Sequence, residues 1–240
     1  MKVDAQEIEQ LLETVRHEYL HRMTQGHGRL LRQVEQYAVA RNGKMLRPRL
    51  LLLAAASVSP DRLHEQRTLL LATAMEMLHN ASLLHDDVID HADRRRGRAS
   101  VNAQWSNSIA VLVGDYHLAR IMELLDEVGD ADASRMVNQT VMAMVEAELL
   151  QQELLASRAM TEDDYITVVD GKTANLFATA AALGNSDWKN AGLNYGRLFQ
   201  ICDDIRDKEA PPFAQQLANT IDTQWPDGFD NMPNPRMITQ

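Results

Sequence analysis

Apolar residues recur along most of this chain at the three- and four-residue spacing of a helix, not in strict alternation. Ile8, Leu11, Leu12, Val15 and Tyr19 share one face and predict a first amphipathic helix. The stretch RPRLLLLAAASVS predicts a second, with Pro48 in its first turn, where a missing N–H is harmless. Residues 66 to about 91 are apolar almost all round, the pattern of a helix buried on every side. Further helices are predicted over 105–128, 132–157, 162–183 and 190–207, and Thr161 with Asp164 has the spacing of a capping pair. No strand pattern and no short repeat interrupt this. The fold expected is all-α, an antiparallel helix bundle.

The end of the chain reads differently. Five of the 7 prolines (Pro211, Pro212, Pro226, Pro233, Pro235) follow residue 208, and FAQQLANTIDTQW is the one short helical candidate there. Residues 1–207 are therefore expected to form a helical domain, and 208–240 an atypical Pro-rich tail that packs poorly.

Composition narrows the function. A net charge of −10 argues against nucleic acid, because a protein that tracks a phosphate backbone needs a basic excess. Base is concentrated locally, in Lys44, Arg47 and Arg49 and in Arg94, Arg95, Arg96 and Arg98, which suits a small anionic ligand. A single cysteine, Cys202, excludes an internal disulfide framework and fits a reducing compartment. The charged, amphipathic first twenty residues do not read as a signal peptide. No apolar run reaches the roughly 18 residues of a membrane span. A cytoplasmic protein is expected.

The chemistry gathers in LLHDDVIDHADRRRG, residues 83–97, and in FQICDDIRD, residues 199–207. Both carry D-D-x-x-D, and their first carboxylates stand 117 residues apart. On a helix, residues i and i+4 share a face, so Asp86 stacks with Asp90 and Asp203 with Asp207. Like charges at that spacing repel by a few tenths of a kcal/mol. Carboxylates near a helix C-terminus oppose the macrodipole as well. A solvated acidic face could bear this once; two copies, each following an apolar segment, call for a counter-charge. Mg²⁺ meets that need, taking a few carboxylate oxygens and completing its shell with water and substrate phosphate. Arginine forks then hold the remaining phosphate oxygens. A rival metal reading lies in two Glu-x-x-His pairs, Glu18 with His21 and Glu76 with His79, the spacing of di-iron bundles. It leaves both aspartate triads unexplained.

These segments resemble the trans-isoprenyl diphosphate synthases. NGKMLRPRL is similar to that family's G-K-x-x-R-P segment, and LHNASLLHDDVIDHADRRRG to its first aspartate-rich motif; LVGDYHLAR, EAELLQQE, GKTANLF and FQICDDIRD follow in the family's order. The resemblance implies helices around a central cavity, Mg²⁺ as cofactor, and head-to-tail condensation of isopentenyl diphosphate with an allylic diphosphate. It implies Asp86, Asp90 and Asp203 as principal metal ligands, supported by Asp87, Asp204 and Asp207. Lys44, Arg47, His79 and Arg96 would hold isopentenyl diphosphate, Arg95 and Lys172 the allylic diphosphate, and Thr173, Gln151 and Gln200 would line the reacting centre. Along the helix leading to the first motif, the small Ala81 and Ser82 leave room for a product longer than farnesyl, with Leu78 or Met77 as deeper limits.

The resemblance stops after Asp207, where the family continues with a Gly- and Lys-containing loop and further helices; Lys208 is not at a matching position. The glycine of the family's G-E-x-x-Q is Ala147 here. Two other readings stay open: a subunit or regulator of a larger synthase, and a terpene cyclase-like enzyme. Lys44, Arg47 and Arg96 argue against a cyclase, which has no use for an isopentenyl pocket. A homodimer or a heteromeric synthase is the partnership the resemblance implies.

Overall fold

The computed structural model describes residues 4–26, 28–39, 43–95, 97–157 and 160–238. The apolar stripe near the N-terminus forms α1 (Ala5–Thr24), whose start is capped by the Asp4 carboxylate accepting from the Gln6 N–H. Ile8, Leu11, Leu12, Val15, Tyr19 and Met23 are its buried face. After α2 (Arg29–Val39) comes α3 (Leu46–Val58), in which every residue from Leu50 to Ala56 is buried. The segment that is apolar all round becomes α4 (Gln66–Ile89), and it packs against α1, α3 and the later α6 and α9. Burial on all sides explains why α4 shows no polar face.

A short α5 (Val101–Gln104) precedes α6 (Asn107–Val128), which is capped by Ser106 and closed by Gly129 at φ 65°. Then follow α7 (Ala131–Ser157) and α8 (Glu162–Val169), whose Thr161–Asp164 capping box is formed in both directions. The helix predicted over 162–183 is one path with a wide π-helical turn, Asp170–Ala174, set between α8 and α9 (Asn175–Gly184). The last long helix is α10 (Lys189–Asp207).

Three expectations need correction. An antiparallel pair of two-residue strands, β1 (Arg94–Arg95) and β2 (Arg98–Ala99), turns through Gly97 at φ 77°. It is too short to show alternation. The periodicity reading also omits α2, although Leu31, Val34, Tyr37 and Ala38 pack there at helical spacing, with the charged Glu35 fully buried beside them. Finally, the Pro-rich segment packs well. It forms α11 (Ala214–Thr220), then lays Trp225 on Phe229 with ring centroids 4.9 Å apart, and buries Phe229, Met232, Pro235 and Ile238. Its aromatic residues supply apolar area without helical periodicity.

Glu35 explains how α2 is fixed. Both its oxygens accept from His117 Nε2 on α6, at 2.9 and 3.0 Å, and neither side chain touches water. Removing one partner of such a pair leaves the other stranded, whereas replacing both by apolar groups is often tolerated. Glu35→Ala should therefore cost about 3 kcal/mol or more, and Glu35→Leu/His117→Leu should recover most of it. Urea midpoints at neutral pH check this; a double variant as unstable as the single would show that the pair is not what orders α2.

Candidate active site

The first acidic motif sits at the C-terminal end of α4. Asp90 is the cap, its N–H donating to the Asp86 carbonyl at 2.8 Å, so the two carboxylates keep helical register one turn apart. Asp87 lies 100° round from Asp86 and turns inward. It is 1% exposed and accepts from Arg95 Nε at 2.5 Å. The arginine hairpin is tied down beside it. Asn102 donates to the Asp87 and Ala92 carbonyls, Ser100 to Ala92, and Tyr37 Oη to the Ala99 carbonyl at 2.9 Å. Arg98 stacks 4.4 Å from the Tyr37 ring centre. Arg95 thus spends its Nε on Asp87, and a guanidinium bound through Nε alone still has terminal N–H donors to offer.

The second motif ends α10. Asp203 accepts from Arg206 at 2.6 Å, Asp207 is exposed, and Asp204 accepts from Tyr165 Oη at 2.5 Å and Gln200 Nε2 at 2.7 Å.

The π-helical turn joins the two motifs. On one side, Lys172 Nζ donates to Gln151 at 2.8 Å and pairs with Glu148 at 2.5 Å. It also lies in the field of Asp86. On the other side, Thr173 Oγ1 donates to Gln200 Oε1 at 2.7 Å, and Gln200 reaches Asp204. Arg197 grips Asp170 through two bonds of 2.6 Å, fixing the turn to α10. The path Asp86–Lys172–Thr173–Gln200–Asp204 brings both ends of the sequence pattern to one turn.

Burial pushes the Asp86 carboxyl up to about 6; Lys172 and Arg95 draw it down, while Glu148 and Asp90 raise it further. A carboxylate so poorly compensated suits a hard cation. Among the described residues, no three His, Cys, Asp or Glu side chains already converge on one point, so the two motifs do not form one acidic cluster.

Most of the other expected residues stand on or beside α3 and α4. Lys44 is exposed just before α3; Arg47 is buried in its first turn, 4.4 Å over the Phe177 ring. His79 is half-buried on α4, and Arg96 lies outside the described residues. Ala81, Leu78 and Met77 are buried, and Ser82 Oγ donates back to the His79 carbonyl. The rival Glu-x-x-His pair on α1 is engaged along its own helix, Glu18 with Arg22 and His21 with Gln25.

Two residues escaped the sequence reading. Glu148 could have been found, since it precedes Gln151 by one turn on the same face. Tyr165 could not: its partner is 39 residues away.

The described helices also fix what this chain is similar to. A family model described as Polyprenyl synthetase matches residues 28–216. Octaprenyl diphosphate synthase of Escherichia coli (strain K12) is 33% identical over 214 residues, covering 85% of this chain and 65% of that protein. All-trans-nonaprenyl-diphosphate synthase (geranyl-diphosphate specific) of Rhodobacter capsulatus is 36% identical over 215 residues, covering 85% and 64%. A crystal structure of polyprenyl synthase from Caulobacter crescentus CB15, complexed with calcium and isoprenyl diphosphate, matches with TM-score 0.79 at 28% identity over 86% of this chain and 66% of that one. The chain spans just under two thirds of the length of these two curated relatives. With the match running from α2 into α11 and carrying both acidic motifs, the chain belongs to the polyprenyl synthetase family, the trans-isoprenyl diphosphate synthases.

Proposed function

We propose that the chain is a Mg²⁺-dependent prenyltransferase that condenses isopentenyl diphosphate head-to-tail with an allylic diphosphate, giving a trans-polyprenyl diphosphate longer than farnesyl. The observation that carries this reading is the Lys172–Thr173 turn, where Lys172 lies in the field of Asp86 and Thr173 connects through Gln200 to Asp204. Asp86 and Asp90, with Asp203 and Asp207, are the residues to hold the metal, which when bound would stabilise charge on the departing diphosphate. Arg95, oriented by Asp87, and Lys172, held by Glu148 and Gln151, would grip the allylic diphosphate. Lys44, Arg47, His79 and Arg96 would take isopentenyl diphosphate. The C–O bond ionises, the isopentenyl double bond attacks the allylic cation to form the new C–C bond, and a proton leaves with pyrophosphate. Thr173, Gln151 and Gln200 would line this centre, and the apolar faces of α3, α4 and α9 would keep water away.

Incubation with Mg²⁺, labelled isopentenyl diphosphate and farnesyl diphosphate tests the reading. Elongated, chelator-sensitive products support it, and cyclised hydrocarbon would make the enzyme a cyclase. Ala81 lies five residues, roughly 7 Å along the axis, before Asp86. Ala81→Phe should shorten the product seen by chromatography, and unchanged length would remove this helix face from the tunnel.

Asp86 predicts a pH effect on the metal-free protein. Its folded pKa of about 6 lies above its ordinary value, so the folded state binds the extra proton and stability falls as pH rises from about 4 to 6. Asp86→Asn should raise Tm over wild type at pH 7, with the gap closing at pH 4, while cutting kcat about 10²-fold or more. A gap that ignores pH would dissociate Asp86 from this balance.

We further propose a second copy of this chain as partner. Met142, Val145 and Leu149 recur at three- and four-residue steps on the exposed side of α7, and Leu112 and Met122 are exposed on α6. That spacing forms a seam that a second copy can match knob into hole, and so large an apolar stripe is rarely left to water. Light scattering should give twice the 27.0 kDa chain mass, reverting to one on Val145→Lys/Leu149→Lys. A monomeric wild type, silent until a different chain is added, would favour the heteromeric subunit.

A further inference from the structure

In each acidic motif the second aspartate turns away from the first, because consecutive helical residues diverge by 100°. Asp204 is the more enclosed by donors: Gln200 Nε2 bonds Oδ1 and Tyr165 Oη bonds Oδ2. An ionised carboxylate only accepts, so it fixes the Gln200 amide with Nε2 inward and leaves Oε1 for the Thr173 hydroxyl. The Thr173 proton is thereby committed to Gln200, and its lone pairs remain for whatever lies in the site.

Tyr165 is itself held from behind. It is 5% exposed, its ring meets Phe213 edge-on at 5.8 Å, and it packs with Val169, Leu198, Ile201, Ala214 and Leu217. Phe213 and α11 belong to the segment after the second motif, where no chemistry was expected. We propose that Tyr165, clamped by Phe213 and α11, is a positioning residue that acts through Asp204 and Gln200 on Thr173. Asp204 is then a strut, and the i, i+4 pair Asp203 and Asp207 is what this motif offers a cation.

The proposal rests on the synthase reading only for the use made of Thr173, so its test begins on metal-free protein. Tyr165→Phe and Phe213→Ala should each speed amide exchange across 170–174 and 199–207 about tenfold, with unchanged circular dichroism, while Asp203→Asn does not. Mn²⁺ binding with inorganic pyrophosphate, followed by electron paramagnetic resonance, should weaken about tenfold or more in Asp203→Asn but stay within about threefold in Asp204→Asn. If wild type turns over, Tyr165→Phe should lower kcat about tenfold with KM little changed. The Tyr165→Phe/Asp204→Asn double should be no slower than the slower single, as for residues acting in one line. Unchanged exchange at 170–174 in Tyr165→Phe overturns the proposal, as does Asp204→Asn losing Mn²⁺ as severely as Asp203→Asn, or additive losses in the double. A wild type that binds Mn²⁺ and pyrophosphate yet forms no product sinks the synthase reading alone, because exchange and binding still decide this one.

Discussion

A carboxylate drawn out of water must find a proton donor or a cation, and this requirement organises the centre of the molecule. Six aspartates stand at the ends of α4 and α10, where the macrodipole already disfavours them. Four of them show how the protein answers. Asp87 receives Arg95, Asp203 receives Arg206, and Asp204 receives Tyr165 and Gln200. Asp86 is buried and, among the described residues, is met by Lys172 and Arg95 at longer range, with Glu148 and Asp90 opposing them, so its affinity for a proton rises. Affinity for a proton and affinity for a hard cation are two answers to one unsatisfied charge. A net charge of −10 is therefore no obstacle to binding diphosphates: anion recognition is set within a few ångströms, and beyond about 8 Å salt screens the rest.

The turn between the motifs works because backbones approach closely around it. A Cβ on Gly171 would run into the Ala147 Cβ and stand 2.8 Å from the Ala143 carbonyl, so α7 presses directly on the turn. That contact explains why Ala147 is acceptable where the resembling pattern has glycine: the space one residue lacks is supplied by the other. From the opposite side, Gly196 lets α10 rest on Ala174 while Arg197 holds Asp170. Pinned on both flanks, the wider π-helical winding sends the neighbouring side chains Lys172 and Thr173 to different helices, one to α7 and one to α10.

What could be read in advance followed from period and spacing. The buried face of α1, the all-round burial of α4 and the Thr161 capping box are local patterns, and each formed. The i, i+4 logic placed Asp86 with Asp90 correctly because it needs only helix geometry. It could not say that Asp87 and Asp204 would be consumed by the protein's own donors, since Arg95 arrives through a hairpin and Tyr165 from another helix. Glu35 on α2 fails as a signal for the opposite reason. A charged residue with zero exposure is invisible to any apolar pattern until its partner, 82 residues on, is known.

The segment after Asp207 shows how far a composition argument can mislead. Prolines remove backbone donors and break helical period, but they do not reduce the apolar area that neighbouring side chains can bury. Trp225 stacks on Phe229, which meets the Tyr195 and Trp188 rings at a tilt, and the Tyr195 hydroxyl donates to the Pro233 carbonyl at 2.8 Å. Tyr195, Leu198 and Ile201 follow one another at three-residue steps on α10, so its apolar side is covered by α8, α11 and this aromatic layer together. The rotation of α10 about its axis decides which aspartate faces Tyr165. A half-turn error would exchange an accepting strut for an uncompensated charge inside the core, so packing of the Pro-rich segment and the aim of the second acidic motif are one problem with one solution.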